Sequence, residues 1–410
     1  MFRPYRDVLN RPGALAFSAS GVLARLPMSM AGIGIVLMVQ ALYDSYGVAG
    51  RVSAVYVLVQ AACSPALSRL VDRHGQDRVM RPAVAISSAG LLWIVVAASV
   101  HAPTPWLYAG AVLTGATIGS FGSLVRARWS HILRDPRELH TAYSLESALD
   151  EVVFIVGPVL ATTLASGVAP TAALLVPVAG MLVGGYWFLT LRATQPAPTP
   201  RVVGSPRSRA VMRSGGMVVI AVVFVAIGTI FGATEVSTVA FAQERGRPAL
   251  AGVVLAIFAL GSMISGLLYG TRHWVSPLWK RFALGTVALA VGASLFVLVS
   301  SMPVLALVMF VAGFAIAPTI INGNGLVQHF VPRARLTEGL TWVGTSLGVG
   351  VSAGASLAGI LIDRSGSHGG FLLVAAGAGL AVLAALGSLR ALRAGTIGID
   401  DGPGRPPSAD

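Results

Sequence analysis

The chain has 410 residues, of which 55% are apolar and only 11% charged. A water-soluble protein of this length needs a charged surface and buries short apolar segments, whereas here runs of about twenty apolar residues, long enough to cross a bilayer, recur along almost the whole sequence. The formal net charge of +13 is not a nucleic-acid footprint: counted from an internal N-terminus, all the basic residues except Arg25, Arg51, Arg245, Arg247 and Arg364 fall in the N-terminal arm, the even-numbered loops or the C-terminal tail, which is the positive-inside pattern of a multi-pass membrane protein.

In chain order, Arg3, Arg6 and Arg11 precede a first apolar stretch that no small-residue cleavage site closes, so it is expected to remain as a helix and not to be removed as a signal. Apolar windows and breakers predict spans near 13–43, 47–70, 82–100, 104–128, 141–166, 171–191, 216–242, 249–270, 282–300, 303–327, 337–361 and 370–392. The external connections are short and poor in charge, the internal ones long and Arg-rich. Both termini are therefore expected on the cytoplasmic side of a bacterial inner membrane. Between the sixth and seventh spans lies QPAPTPRVVGSPRSR, too polar to cross and too poor in apolar residues to fold alone. The expected organisation is a six-helix bundle over 1–192, a cytoplasmic linker over 193–214, a second six-helix bundle over 215–394 and a disordered cytoplasmic tail over 395–410. Two halves of equal helix number and like orientation are what a parallel duplication produces, related by a pseudo-two-fold axis, and in transporters such repeats place a substrate site near the midplane. Cys63 is the only cysteine, which excludes an internal disulfide or a cysteine metal cluster.

After the second span comes SRLVDRHGQDR, Ser68 to Arg78, which resembles the loop signature GxxxDRxGRR of the major facilitator superfamily. Asp72, Arg73 and Gly75 match; Ser68 replaces the leading glycine, Gln76 and Asp77 replace the trailing bases, and Arg78 is displaced by one. The resemblance implies that this loop braces the halves through charge and helix-end contacts, in keeping with the preference of acids for helix N-termini. A positively charged turn alone would explain the arginines but not Asp72 and Gly75 at these offsets. The expected second copy, GLLYGTRHW from Gly266, has Gly270 in place of the acid. On the fifth span, Gly157 and Pro158 resemble part of the GPxxG element of antiporter branches, with Ala161 in place of the last glycine; a plain helix kink is the other reading. On the fourth span, Ala111 stands where drug and proton antiporters usually carry an arginine. The whole chain fits the superfamily layout of twelve transmembrane helices in two bundles, and RLVDRHG, LDEVVFIVGP and TEGLTWVG look like an actinobacterial efflux-type branch.

Ionisable residues inside apolar spans cost about 2.5–3.5 kcal/mol on insertion scales, so they mark partners or water. Arg25 lies roughly 21 Å along the helix from Arg11, near the bilayer middle. Ser18, Gly21, Arg25, Ser29 and Gly32 recur every three or four residues, one small and polar face that can turn inward. Glu146 and Asp150 share a face of the fifth span, with Glu151 about a quarter turn away. Two acids on one dry face repel, so one needs a base such as Arg25 or a proton. Glu146 has an interfacial alternative. Asp150 is the expected partner of Arg25 and Glu151 the second choice. Glu235 lies on the seventh span with Gly228, Gly232 and Thr238 at helical spacing, unless it reaches up to Arg245 or Arg247. On the tenth span APTIINGNG offers Asn322 and Asn324 beside Pro318, where bent backbone exposes polar groups to a cavity or the residues simply pack. The glycines of the eleventh span read as packing, and Glu338 as a cap or pair at the cytoplasmic face.

Lys280 is the only lysine and no GxxxxGK[ST] follows any glycine run, so there is no built-in nucleotide motor; HExxH and cysteine pairs are absent too. The resulting expectation is a monomeric secondary transporter without cofactor or metal. It acts on a small molecule and uses protons, since a single buried base set against as many as four acids leaves carboxylates free to load and release them. Proton-coupled efflux of a drug-like molecule or metabolite by alternating access ranks first, symport of a sugar, organic anion or nutrient second, and a transport-dead sensor or scaffold last.

Overall fold

The computed structural model describes residues 3–198, 211–247, 250–272 and 274–394. These residues fold into helices alone. In the first half they are α1 (Arg3–Leu9), α2 (Ala14–Tyr43), α3 (Tyr46–His74), α4 (Gln76–Ser99), α5 (Thr104–Thr117), α6 (Phe121–Ile132), α7 (Pro136–Gly167) and α8 (Ala172–Thr190). The second half holds α9 (Gly215–Glu244), α10 (Leu250–Gly270), α11 (Leu278–Ser294), α12 (Met302–Gly313), α13 (Ile316–Phe330), α14 (Leu336–Ser365), α15 (Ser367–Gly387) and α16 (Leu389–Ala394). Twelve helical stretches among the described residues are long and apolar enough to cross a membrane. Two of them, 104–132 and 302–330, are each broken once in the middle.

Local chemistry sets the ends. Asp135 accepts a hydrogen bond from the Arg137 amide at 2.9 Å and Pro136 takes the first helical position, so α7 starts five residues earlier than apolar content alone suggests. Gly75, at φ 94°, ends α3 and begins α4. The helix thus runs on through the loop signature to His74, and α4 starts at Gln76 instead of 82, with Pro82 tolerated inside it. Gly119, at φ 66°, sits in the break between α5 and α6, where a side chain would also strike Met80. The helix α1 was not apparent in the apolar windows. Of the linker expected over 193–214, residues 199–210 lie outside the described residues, as does the whole tail expected over 395–410.

The helices form two compact units, one of Met1–Pro206 with Ala334–Thr345, the other of Arg207–Arg333 with Ser346–Asp410. In the first, α2 packs along α8 and against α7, while α4 and α3 flank α5. The polar stripe of α2 is its contact face. Ser29 lies where a side chain on Gly157 would be, so Gly157 is what lets α7 approach α2, and α7 continues unbroken through Pro158. In the second, Gly350 and Gly354 of α14 abut the α9 backbone at Val225 and Thr229, whereas Gly348 and Gly359 have open space, as does Gly344 in the part of α14 that belongs to the first unit. Only part of that glycine series is packing.

Candidate functional site

Three helices of the first unit bring four charges together. Arg25, near the centre of α2, donates from Nη2 to Glu146 Oε2 and from Nη1 to Asp150 Oδ1, both at 2.6 Å, and from Nε to its own Gly21 carbonyl at 3.0 Å. Glu146 and Asp150 come from adjacent turns of α7, as their spacing of four requires. The second oxygen of Glu146 accepts from Ser18 Oγ at 2.7 Å and from Trp129 Nε1 at 2.8 Å. The second oxygen of Asp150 accepts from Arg126 Nη2 on α6 at 2.7 Å. Each carboxylate oxygen thus meets a donor. That matters because an ion taken out of water costs several kcal/mol unless it is both paired and hydrogen-bonded.

The cluster is closed at one end and partly open at the other. Side-chain exposure is 1% for Arg25 and 0% for Glu146, against 9% for Arg126 and 20% for Asp150. Glu146 is therefore enclosed by protein and not solvated. The expectation of a single buried base fails: Arg126 and Arg128 are buried as well, and within the network two bases, Arg25 and Arg126, balance two acids. Counted by position, Arg126 belongs to the inner end of its span and so passes for a loop arginine. What turns it inward is the helix break at Gly119, which restarts α6 at Phe121, so that Phe121 and the run from Ser123 to Trp129 are buried. Glu151 is half-buried and does not bond to Arg25 in the network.

In the second unit the candidates lie apart. Glu235 is exposed on α9 and makes no hydrogen bond or ion pair with any described residue, Arg245 and Arg247 included. Asn322 is buried on α13 and its amide is spent on the Tyr269 hydroxyl of α10, donating at 2.9 Å and accepting at 3.2 Å. Asn324 is 7% exposed. The break near Pro318 falls at residues 314–315, before both asparagines, so they sit in regular helix and pack in the core.

The signature loop works through helix ends. Asp72 Oδ2 accepts from the Glu338 amide at 3.0 Å, at the start of α14, whose opening turns belong to the same unit. Glu338 is itself gripped by Arg69 at 2.8 Å and Arg335 at 2.7 Å, and Ser68 meets Thr341 at 2.8 Å. Arg73 and Arg78 are exposed. The two departures from the signature have partners of their own. Gln76 accepts from Arg128 Nε at 2.8 Å and donates to the Leu124 carbonyl at 3.2 Å, and Asp77 pairs with Arg192 at 3.0 Å. Buried Arg128 also donates from Nη1 to the Leu191 carbonyl and Thr194 Oγ1, and lies 3.7 Å over the Phe188 ring. No group of three or more His, Cys, Asp or Glu among the described residues is placed to hold a metal ion.

A helical chain with twelve candidate spans and an ion network sealed within them is a multi-pass membrane protein of the transporter type. Residues 17–281, well over half the chain, match the Major Facilitator Superfamily, and the chain belongs to that family of membrane transporters, which are not enzymes. Solved structures agree in fold. A human organic anion transporter, MFSD10 (TETRAN), is 15% identical with TM-score 0.69, covering 92% of this chain and 98% of its own. A bacterial homologue of the iron transporter ferroportin in an outward-facing state is 14% identical with TM-score 0.74, covering 91% and 98%. The same homologue with soaked iron gives 13% and 0.72, covering 93% and 98%. No curated protein matches the sequence.

Proposed function

We propose that this chain is a secondary transporter of a bacterial inner membrane that exports a small drug-like molecule or metabolite by alternating access, using the proton gradient, as an actinobacterial efflux-type member of its family. The observation that carries the reading is the four-charge network of Arg25, Arg126, Glu146 and Asp150. A purely structural core gains little from such a cluster, because replacing buried ion pairs by apolar groups of similar volume is often neutral or stabilising. A transporter has use for charges whose pairing can be exchanged. With two bases against two acids the cluster holds no spare carboxylate, so the coupling proton is assigned to Asp150, the most exposed member, or to Glu235, which has no partner among the described residues.

The test is flux in proteoliposomes under imposed pH and sodium gradients, with wild type, Arg25→Ala, Asp150→Asn, the double variant and Glu235→Gln. Proton coupling predicts that wild type follows the pH gradient and that at least one acid variant loses its pH dependence while still inserting. Unaltered pH profiles in all variants would remove the coupling role and leave Arg25 as structure. Direction is read in cells: deletion raises internal substrate if the protein exports, and lowers it if the symport reading holds. Silence in every flux assay together with a stable cytoplasmic partner would favour a sensor.

A further inference from the structure

The two arginines of the network are not equally engaged. Arg25 uses all three nitrogens, on Gly21, Glu146 and Asp150. Arg126 uses Nη2 on Asp150 at 2.7 Å and Nη1 on its own Gly122 carbonyl at a long 3.3 Å, while its Nε is buried with no acceptor. A guanidinium presents Nε and Nη2 along one edge, the edge that grips a carboxylate with two parallel hydrogen bonds. On Arg126 that edge is half filled. Asp150 cannot fill it, because its other oxygen is held by Arg25.

We infer that the Nε and Nη2 edge of Arg126 anchors an anionic substrate, a small organic carboxylate, and that Asp150 occupies half of this anchor while the substrate is absent. The inference rests on the transporter reading above and narrows it to a substrate class. Three features point the same way. The orphan donor sits in a side chain more than nine-tenths buried, where an unmet N–H is costly, and a substrate carboxylate would supply the missing acceptor. Asp150 is the member of the network with the largest exposure, so the anchor lies at the open end, while Glu146 closes the other end under Ser18, Trp129 and Arg25. When a substrate displaces Asp150 from Arg126, the acid keeps its bond to Arg25 and is not stranded. Arg25, with all three nitrogens engaged and only 1% exposed, is the poorer anchor.

The experiment measures equilibrium binding to the purified full chain in detergent with matched probes: benzoate and 1-naphthoate, their amides, and benzylammonium with 1-naphthylmethylammonium. Wild type is expected to prefer each carboxylate over its amide and amine by about tenfold or more. Asp150→Asn, which removes the competing charge, should tighten carboxylate binding about tenfold further, and Arg126→Lys, which keeps the charge but loses the two-pronged edge, should weaken it by a similar factor. The wild-type ranking needs no variant to fold. An amine preference, equal affinity for all three series, no carboxylate binding at all, or unchanged carboxylate affinity in monodisperse Asp150→Asn protein overturns the inference. Counterflow in proteoliposomes separates the two levels. Exchange of amines or amides without carboxylates sinks this inference and leaves transport standing, whereas no exchange of any solute sinks both.

Discussion

Glu146 is a fully buried charge with both oxygens satisfied, Ser18, Trp129 and Arg25 all donating to it and none of its side chain exposed. Removing one donor leaves a buried anion short of a partner, so Trp129→Phe should cost about 1.5–3 kcal/mol, as for hydrogen bonds to charged groups. Arg25→Ala leaves buried Glu146 without a counter-charge and Asp150 with Arg126 alone, and should cost about 3–5 kcal/mol. Thermal unfolding in detergent is the check: both variants should melt below wild type with Arg25→Ala the lower, and adding Glu146→Gln and Asp150→Asn to Arg25→Ala should recover part of the loss. If Arg25→Ala melts with wild type, the network is not stabilising. Much of this cluster was legible in the sequence. An arginine at mid-span and two acids four apart on another span have few other ways to be accommodated, and the stripe from Ser18 to Gly32 shows which side of α2 they use. Arg126 was not legible, because position in the span is a poor guide to orientation once the helix is broken and restarted. Asn322 stayed open between cavity and packing for a simpler reason: a buried amide looks alike whether its partner is a substrate or, as here, a tyrosine.

At the scale of elements, several helix starts are served by distant side chains, the starts of α14 and α4 among them. Asp72, at the end of α3, caps α14 through the Glu338 amide. The start of α4 is met by the segment after α8: with its amide oxygen turned inward, Gln195 accepts from the Gln76 amide at 2.6 Å and the Asp77 amide at 3.2 Å. Arg128 clamps the same segment through Leu191 and Thr194. Borrowed caps do what a local Ser or Asp does elsewhere, at about 0.5–2 kcal/mol each. Asp72→Ala should therefore raise hydrogen exchange at the opening turn of α14, and Gln195→Ala should do so at Gln76 and Asp77, each leaving the other helix unchanged. Arg128→Ala should in addition expose residues 192–198 to proteolysis, since three of that segment's ties depend on it or on Asp77. Equal exchange in wild type and Gln195→Ala would show that the start of α4 needs no cap from this segment. The loop signature singled out Asp72 by its letters, as one of the charges expected to brace the halves; its bond to the Glu338 amide is what the structure adds. The roles of Gln76 and Asp77 were hidden, because each is explained by a base far off in sequence.

At the scale of the molecule, the twelve spans were readable because hydropathy and the positive-inside bias act over whole segments and average out local error. The breaks were harder. They fall in the fourth and the tenth spans, the same place in each run of six, as duplication would leave them. Proline near residue 318 hinted at the second, but nothing distinguishes Gly119 from the other 47 of the 48 glycines until its φ of 66° is seen. Topology is the remaining claim at this scale, and it follows from charge. Arg134 and Arg390 lie beside spans on the Arg-rich side, whereas Val168 lies in one short connection and Pro105 in the first turn of α5 beside another, both connections almost without charge. All four are exposed, so cysteines placed there report the side and not the packing. With Cys63 replaced by alanine, a membrane-impermeant maleimide added to intact cells should label Pro105→Cys and Val168→Cys. Arg134→Cys and Arg390→Cys should react only after the membrane is permeabilised. The opposite pattern would place the arginines outside, against the energetic bias that retains Lys and Arg on the cytoplasmic face, and would overturn both the assigned orientation and the direction of export built on it.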